Sequence, residues 1–257
     1  MGFYSTKITD YGFKQKVNIY EKPIAFGDDS AKPVSNRETY SNMCSEKQQE
    51  ADERRLRYYK RKVAELTDIA LMNTDLDTAI TLTFRESVTS YDHALAEWQL
   101  FLKRLRYHCK KPLKYICIFE FQKERGKKAG LTDGGIYHFH AIFNTGFVEQ
   151  KKLSQIWGNG FVWVDLIRSE RQREKAIRYT LKYITKEITE NAKTRGKRFI
   201  FTSNRLEKPC PILIEEKLSK DDIIFENLEE MIRDGEYDIK NSRGSKINHV
   251  EFVEYKT

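Results

Sequence analysis

The sequence predicts an α+β protein with a central antiparallel sheet and packed helices, in the order β-α-β-β-α-β. Three observations predict it. Short β-branched and aromatic runs recur between residues 78 and 167, and stretches with apolar residues at helical spacing separate them. The second run is joined to the third by a Gly-rich, charged link over residues 123–135. That order is the split βαβ arrangement, whose expected product is a sheet with helices on one face and the other face left open for a site.

Each element has its own signal. Residues 1 to about 45 mix charges, Gly, Pro and Ser with little periodicity and read as an irregular arm. Residues 45–71 turn helical, with Leu56, Tyr59, Val63, Leu66 and Ile69 on one side. Their cations Arg54, Arg55, Arg57, Lys60 and Arg61 suit either a solvated face or a helix lying on DNA phosphates. Thr78–Phe84 is the first strand of the core. Residues 91–108 place Ala94, Leu95, Trp98, Phe101, Leu102 and Leu105 at helical spacing, as core rather than as ligand stackers. Tyr115–Gln122 (YICIFEFQ) and Ile136–Phe143 (IYHFHAIF) follow as strands. Residues 149–157 form a short helix, 160–167 a fourth strand, 171–190 a long helix, and 198–202 a further strand. Beyond Pro209 and Pro211, residues 215–233 read as an acidic helix followed by a polar end. The expected divisions are a basic arm and helix at 1–75, a core at 76–203 and an extension at 204–257.

Composition narrows the class. Charged residues are 33% and hydrophobic ones 39%, and no apolar run approaches the ~20 residues a bilayer span needs, so no membrane association is expected. The N-terminus lacks the apolar region of a secretory signal. Cys44, Cys109, Cys117 and Cys210 form no CxxC pair, which predicts a reducing cytoplasm and neither a disulfide framework nor a zinc knuckle. A net charge of +8 favours polyanionic partners, although a charge count alone does not choose among them.

Two constellations carry chemistry. His138-Phe139-His140 lies inside a predicted strand, where residues two apart share a face, so both imidazoles project together while Phe139 enters the core. Such a pair is either a partly exposed surface feature or a pair of ligands for a divalent metal. Glu120 or Gln122 on the preceding strand can reach them, and Glu120 is preferred because it adds negative charge against a cation. On the long helix, Tyr179 and Tyr183 are four residues apart and share a face bordered by Lys182 and Lys186. Ammonium groups there stabilise a phenolate and orient a phosphate, which suits nucleophilic attack, although aromatics and lysines at this spacing are also ordinary helix packing.

The strand Ile80-Thr81-Leu82-Thr83-Phe84, then IYHFHAIF, then Tyr179-Thr-Leu-Lys182-Tyr183-Ile-Thr-Lys186 come in the order of the three motifs of HUH endonucleases. Over roughly residues 80–186 the chain resembles the rolling-circle replication initiators of small plasmids and single-stranded DNA phages. Trp157-Gly158-Asn159-Gly160-Phe161-Val162 is also similar to what such initiators carry. The resemblance implies a ferredoxin-like or RRM-like nuclease core in which His138 and His140 ligate Mn²⁺ or Mg²⁺, with Glu120 as third ligand. It makes Tyr183 the nucleophile, with Lys182 and Lys186 beside it. Tyr179 stands where some relatives carry an acid, which implies two alternating strand transfers. The implied partners are single-stranded and origin DNA in a bacterial cytoplasm. No GxxxxGK[ST] motor is present, so a host helicase is expected. The same frame also serves transposases and mobilisation relaxases. A non-catalytic nucleic-acid-binding sheet is the reading of a different class. Against it, the inferred face is expected to carry histidines and a glutamate rather than an aromatic pair.

Overall fold

The structure is a computed structural model. It describes residues 2–27, 40–122, 126, 130, 135–190, 197–241 and 244–257, with the side chains of 170 and 183–190 outside the description. The chain forms two compact units, Leu56–Glu207 and the combination of Met1–Arg55 with Lys208–Thr257. None of the described helices is long and apolar enough to cross a membrane.

The larger unit holds the predicted frame. Its elements are β3 (Thr78–Phe84), α2 (Tyr91–Cys109), β4 (Tyr115–Gln122), β5 (Ile136–Phe143), α3 (Gln150–Trp157), β6 (Gly160–Leu166), α4 (Glu170–Glu190) and β7 (Ile200–Thr202). The sheet order is β6-β3-β5-β4-β7, and every pair is antiparallel. Counted within the β-α-β-β-α-β repeat, this is strand order 4-1-3-2 with β7 added beside β4. All eight residues of the central strand β5 are buried.

The sheet's two faces differ in chemistry. On one, Leu82, Phe84, Phe119, Phe139 and Phe143 meet α2 and α3. The Trp98 ring lies 5.5 Å from Phe139 and 6.0 Å from Phe119, and Trp157 lies 4.9 Å from Phe84. Burying an aromatic of this size contributes about 2–3 kcal/mol, so a few such rings dominate the core. The Trp157 Nε1–H donates to the Thr83 carbonyl at 3.0 Å, tying α3 to β3. On the other face α4 lies against β4 and β5, so this face is partly covered rather than left open as expected. Ile177 and Leu181 are buried there. The start of α4 is held reciprocally: Ser169 Oγ accepts from the Gln172 N–H, and Gln172 Oε1 accepts from the Arg168 N–H.

The smaller unit departs from expectation. Residues read as an irregular arm form β1 (Gly2–Asp10) and β2 (Lys14–Phe26). Within the stretch read as an acidic helix, only α5 (Lys220–Glu226) is helical, and the supposed polar end forms β9 (Met231–Lys240) and β10 (Lys246–Lys256). With β8 (Ile212–Ile214), these strands make a second sheet in the order β8-β1-β2-β10-β9. Its apolar core is small, centred on Val17, Ile19, Ile223 and Val253. A buried ionic cluster accompanies it: Glu254 takes Lys14 at 3.2 Å and Arg233 at 2.7 Å, with Lys14 and Glu254 almost fully buried. Lys14 and Glu254 are buried on the face opposite Val17, Ile19 and Val253, so the polar positions of these strands are buried too and the alternation no longer reports burial. The long helix α1 (Ser45–Met72) forms as expected.

Burial pushes the Glu254 carboxyl up, but Arg233 and Lys14 outweigh it and hold the group below its ordinary value. Its contribution is therefore present above the unfolded carboxylate range and lost as pH falls through the lower folded value. Glu254→Gln should cost about 3 kcal/mol at pH 7, measured by hydrogen exchange of the β10 amides. The deficit should shrink once pH falls below about 4. In the larger unit, a Cβ at Gly160 would meet the Thr83 carbonyl oxygen and the Arg85 nitrogen, where β6 crosses the end of β3. Gly160→Ala should cost about 2 kcal/mol in thermal denaturation.

Candidate active site

The site is built by strand register. β5 places His138 opposite Thr83 on β3 and opposite Glu120 on β4, and places His140 opposite Thr81 and Ile118. Cross-strand partners point to the same face, so both histidines, both threonines and Glu120 share the face on which α4 lies. Phe139, between the histidines, goes to the opposite aromatic core, as its alternation predicts.

The polar atoms are tightly arranged. Thr83 Oγ1 lies 3.1 Å from His138 Nδ1, and Thr81 Oγ1 lies 3.2 Å from His140 Nδ1. His140 Nε2 lies 3.0 Å from Glu120 Oε2, and that oxygen also accepts from the Gln122 amide. Glu120 has no exposed surface, and the histidines are 3% and 4% exposed. A buried carboxylate needs such partners, because an uncompensated one carries a heavy desolvation penalty. Gln122, the other candidate on β4, thus holds Glu120. The two threonines were missed as site residues. Their alternation with Leu82 on the adjoining strand is the signal that identifies them.

The helix contributes Tyr179. Its ring stands edge-on to His140 with centroids 6.1 Å apart, and it is half exposed. Lys182 Nζ lies 4.0 Å from the centre of that ring, a cation–π contact that keeps the ammonium beside the phenol. Tyr183 belongs to α4 one turn further on, but its side chain and that of Lys186 lie outside the described residues. The structure therefore brings His138, His140, Glu120, Tyr179 and Lys182 to one face. The α1 cations lie elsewhere on the chain: Arg54, Lys60 and Arg61 are exposed, Arg55 and Arg57 half-buried, and Arg54 is 3.6 Å from Glu50.

The donor set fits a divalent cation at one edge. If Nδ1–H donates to Thr81, His140 Nε2 presents its lone pair to a carboxylate oxygen 3.0 Å away. Two acceptors so placed need a proton or a cation between them, and neighbouring ligands at ~2.1 Å from a metal stand about 3 Å apart. Among the described residues, no three His, Cys, Asp or Glu side chains are gathered as a ready-made metal centre. The fit therefore rests on the His140–Glu120 pair with His138 alongside.

Thr83 is opposite Phe161 and Thr81 opposite Trp163, so β6 adds two aromatic residues to the histidine face, each 55% exposed. The expectation that this face lacks an aromatic pair does not hold. On the surface of the larger unit, Arg106, Lys110, Lys111 and Arg205 line a groove of about 680 Å³ together with Thr202, Ser203 and Asn204.

Residues 77–188 match the model of a protein family described as replication-associated protein ORF2/G2P. That stretch of the chain is similar to replication-associated proteins. It runs from just before β3 into α4 and contains the histidine pair, Glu120 and both tyrosines. No curated protein and no solved structure matches the chain.

Proposed function

We propose that this protein initiates DNA replication by nicking one strand of an origin and rejoining it through a tyrosine, with a divalent metal held by His138, His140 and Glu120. The observation that carries the reading is the shared face: a histidine pair fixed by strand register, and a helix bearing Tyr179 and Lys182 packed against it. The similarity of residues 77–188 to replication-associated proteins supports a role in replication. The basic groove and the net charge of +8 support a polyanionic partner.

The chain's residues divide the work. With the histidines in the tautomer in which each Nδ1–H donates to Thr81 or Thr83, 3.2 and 3.1 Å away, both Nε2 lone pairs are left for coordination. Mn²⁺ or Mg²⁺, when bound, polarises a non-bridging phosphate oxygen and offsets charge on the leaving oxygen. The phenol oxygen of Tyr183 or Tyr179 attacks phosphorus after losing its proton to solvent. A Tyr–phosphate bond forms and the bond to the 3′ oxygen breaks. That oxygen takes a proton to become a 3′ hydroxyl, leaving a 5′-phosphotyrosine. Lys182 stabilises the phenolate and orients the phosphate, and Lys186 is assigned the same role on the next turn. Since the phosphotyrosine retains the bond energy, the 3′ hydroxyl of a strand attacks it in reverse and the ends are joined. Two tyrosines allow successive transfers. Unwinding falls to a separate helicase, and Arg54, Arg55, Arg57, Lys60 and Arg61 on α1 are proposed to hold origin duplex by its phosphates.

Incubation with labelled single-stranded origin DNA and Mn²⁺ should give a covalent adduct that resists denaturation. The Tyr179→Phe, Tyr183→Phe double variant should lose it, and His138→Ala with His140→Ala should reduce it by at least a hundredfold. An adduct that persists in the double tyrosine variant puts the nucleophile elsewhere. Separately, Thr81→Val and Thr83→Val should each weaken Mn²⁺ binding ~10–100-fold by titration calorimetry, with the fold retained. Unchanged Mn²⁺ affinity would remove the threonines from the site.

A further inference from the structure

The edge strand β6 carries a feature that the nicking chemistry does not use. Phe161 and Trp163 alternate with Val162, which is fully buried in the aromatic core, so both rings stand on the other face. Their partners across the ladder are Thr83 and Thr81, the residues that contact His138 and His140. Two rows therefore run across the sheet, Phe161–Thr83–His138–Glu120 and Trp163–Thr81–His140–Ile118. The rings lie two strand spacings from the histidines, ~9.6 Å. α4 lies over β4 and β5, at the other end of these rows.

We propose that Phe161 and Trp163 form a stacking platform for unpaired bases of single-stranded DNA, next to the phosphate held at the histidines. The location relative to a cleaved phosphate rests on the function proposed above. The stacking itself does not. Unstacked bases offer a π-face to any aromatic ring, whereas bases in a duplex are already stacked on one another. The exposed residues of β6 are Phe161, Trp163 and Asp165, with no cation among them, so the strand attracts rings and repels phosphates. Trp163 is already held in place, since its Nε1–H donates to Asp165 Oδ2 at 2.7 Å. A ring so fixed loses little freedom when a base covers it. The platform would thus take bases at the edge strand and leave the backbone to continue over β3 toward the histidine row.

The molecule supplies its own probe. It has three tryptophans, and Trp98 and Trp157 are buried, so a change in tryptophan emission on ligand binding reports Trp163. The full chain is titrated in EDTA with a short labelled oligothymidine, which stops any metal-dependent cleavage. Saturable quenching is expected, together with a rise in oligonucleotide anisotropy. Trp163→Ala and Phe161→Ala should each weaken binding roughly tenfold or more, while Trp163→Phe stays close to wild type because a ring is retained. A duplex of the same length should not quench. Absence of oligothymidine binding, unaltered affinity in the double alanine variant, or equal quenching by duplex would overturn the platform. The covalent-adduct assay tests the nicking reading separately. Quenching without an adduct leaves the platform standing, and an adduct without quenching overturns the platform alone.

Discussion

The arrangement of the larger unit depends on the two-residue period of one central strand. β5 is buried along its whole length, so each of its side chains must satisfy one of two chemically opposite faces. Ile136, His138, His140 and Ile142 go one way, and Tyr137, Phe139, Ala141 and Phe143 the other. A slip of one residue would drive two imidazoles into the rings of Trp98 and Trp157 and present Phe139 to Glu120. The aromatic core therefore does more than hold the sheet together. By fixing the register of β5, it fixes which polar groups meet at the histidines.

Legibility in the sequence followed that period. Where a strand has one apolar face and one polar face with a clear alternation, as in Thr78–Phe84, its element and orientation could be read directly. The β-α-β-β-α-β order, the shared face of His138 and His140, and the choice of β4 as the source of a neighbouring carboxylate all came from that signal. The reading failed where chemistry ran against the pattern. Lys14, Asn18 and Glu254 are buried on the face opposite Val17, Ile19 and Val253, so β2 and β10 bury a polar face as well as an apolar one. Their pairing is also remote in sequence, with Val17 opposite Val253, and no local turn announces it. Periodicity reports burial only when buried groups are apolar, and here ion pairing substitutes for apolarity.

The site was legible as residue types more than as contacts. Glu120 against Gln122 was a choice on charge, and the structure gives the pair distinct positions: one beside His140, the other donating to the first. Thr81 and Thr83 looked like ordinary strand formers, because β-branched residues are expected in strands for packing alone. Only the register with β5 gives their hydroxyls partners. Phe161 and Trp163 were read as strand residues and not as site residues for the same reason, since aromatics in a strand are ordinarily assigned to a core. Exposure and face are tertiary facts, set by which strand lies beside β3.

β3 is thus the strand on which the two chemistries meet. On one side its hydroxyls touch the imidazoles, and on the other its backbone pairs with the strand bearing the exposed rings. Its own alternate residues, Ile80, Leu82 and Phe84, anchor it in the aromatic layer with Trp157 bonded to the Thr83 carbonyl. A strand held this firmly cannot adjust one side without moving the other. Displacing Thr83 to accommodate a bulkier residue at Gly160 would also move the oxygen that contacts His138. The close approach of β6 to the end of β3 therefore bears on the histidine geometry as well as on packing. Conservative volume changes at that crossing should reach the His138 imidazole through the Thr83 side chain.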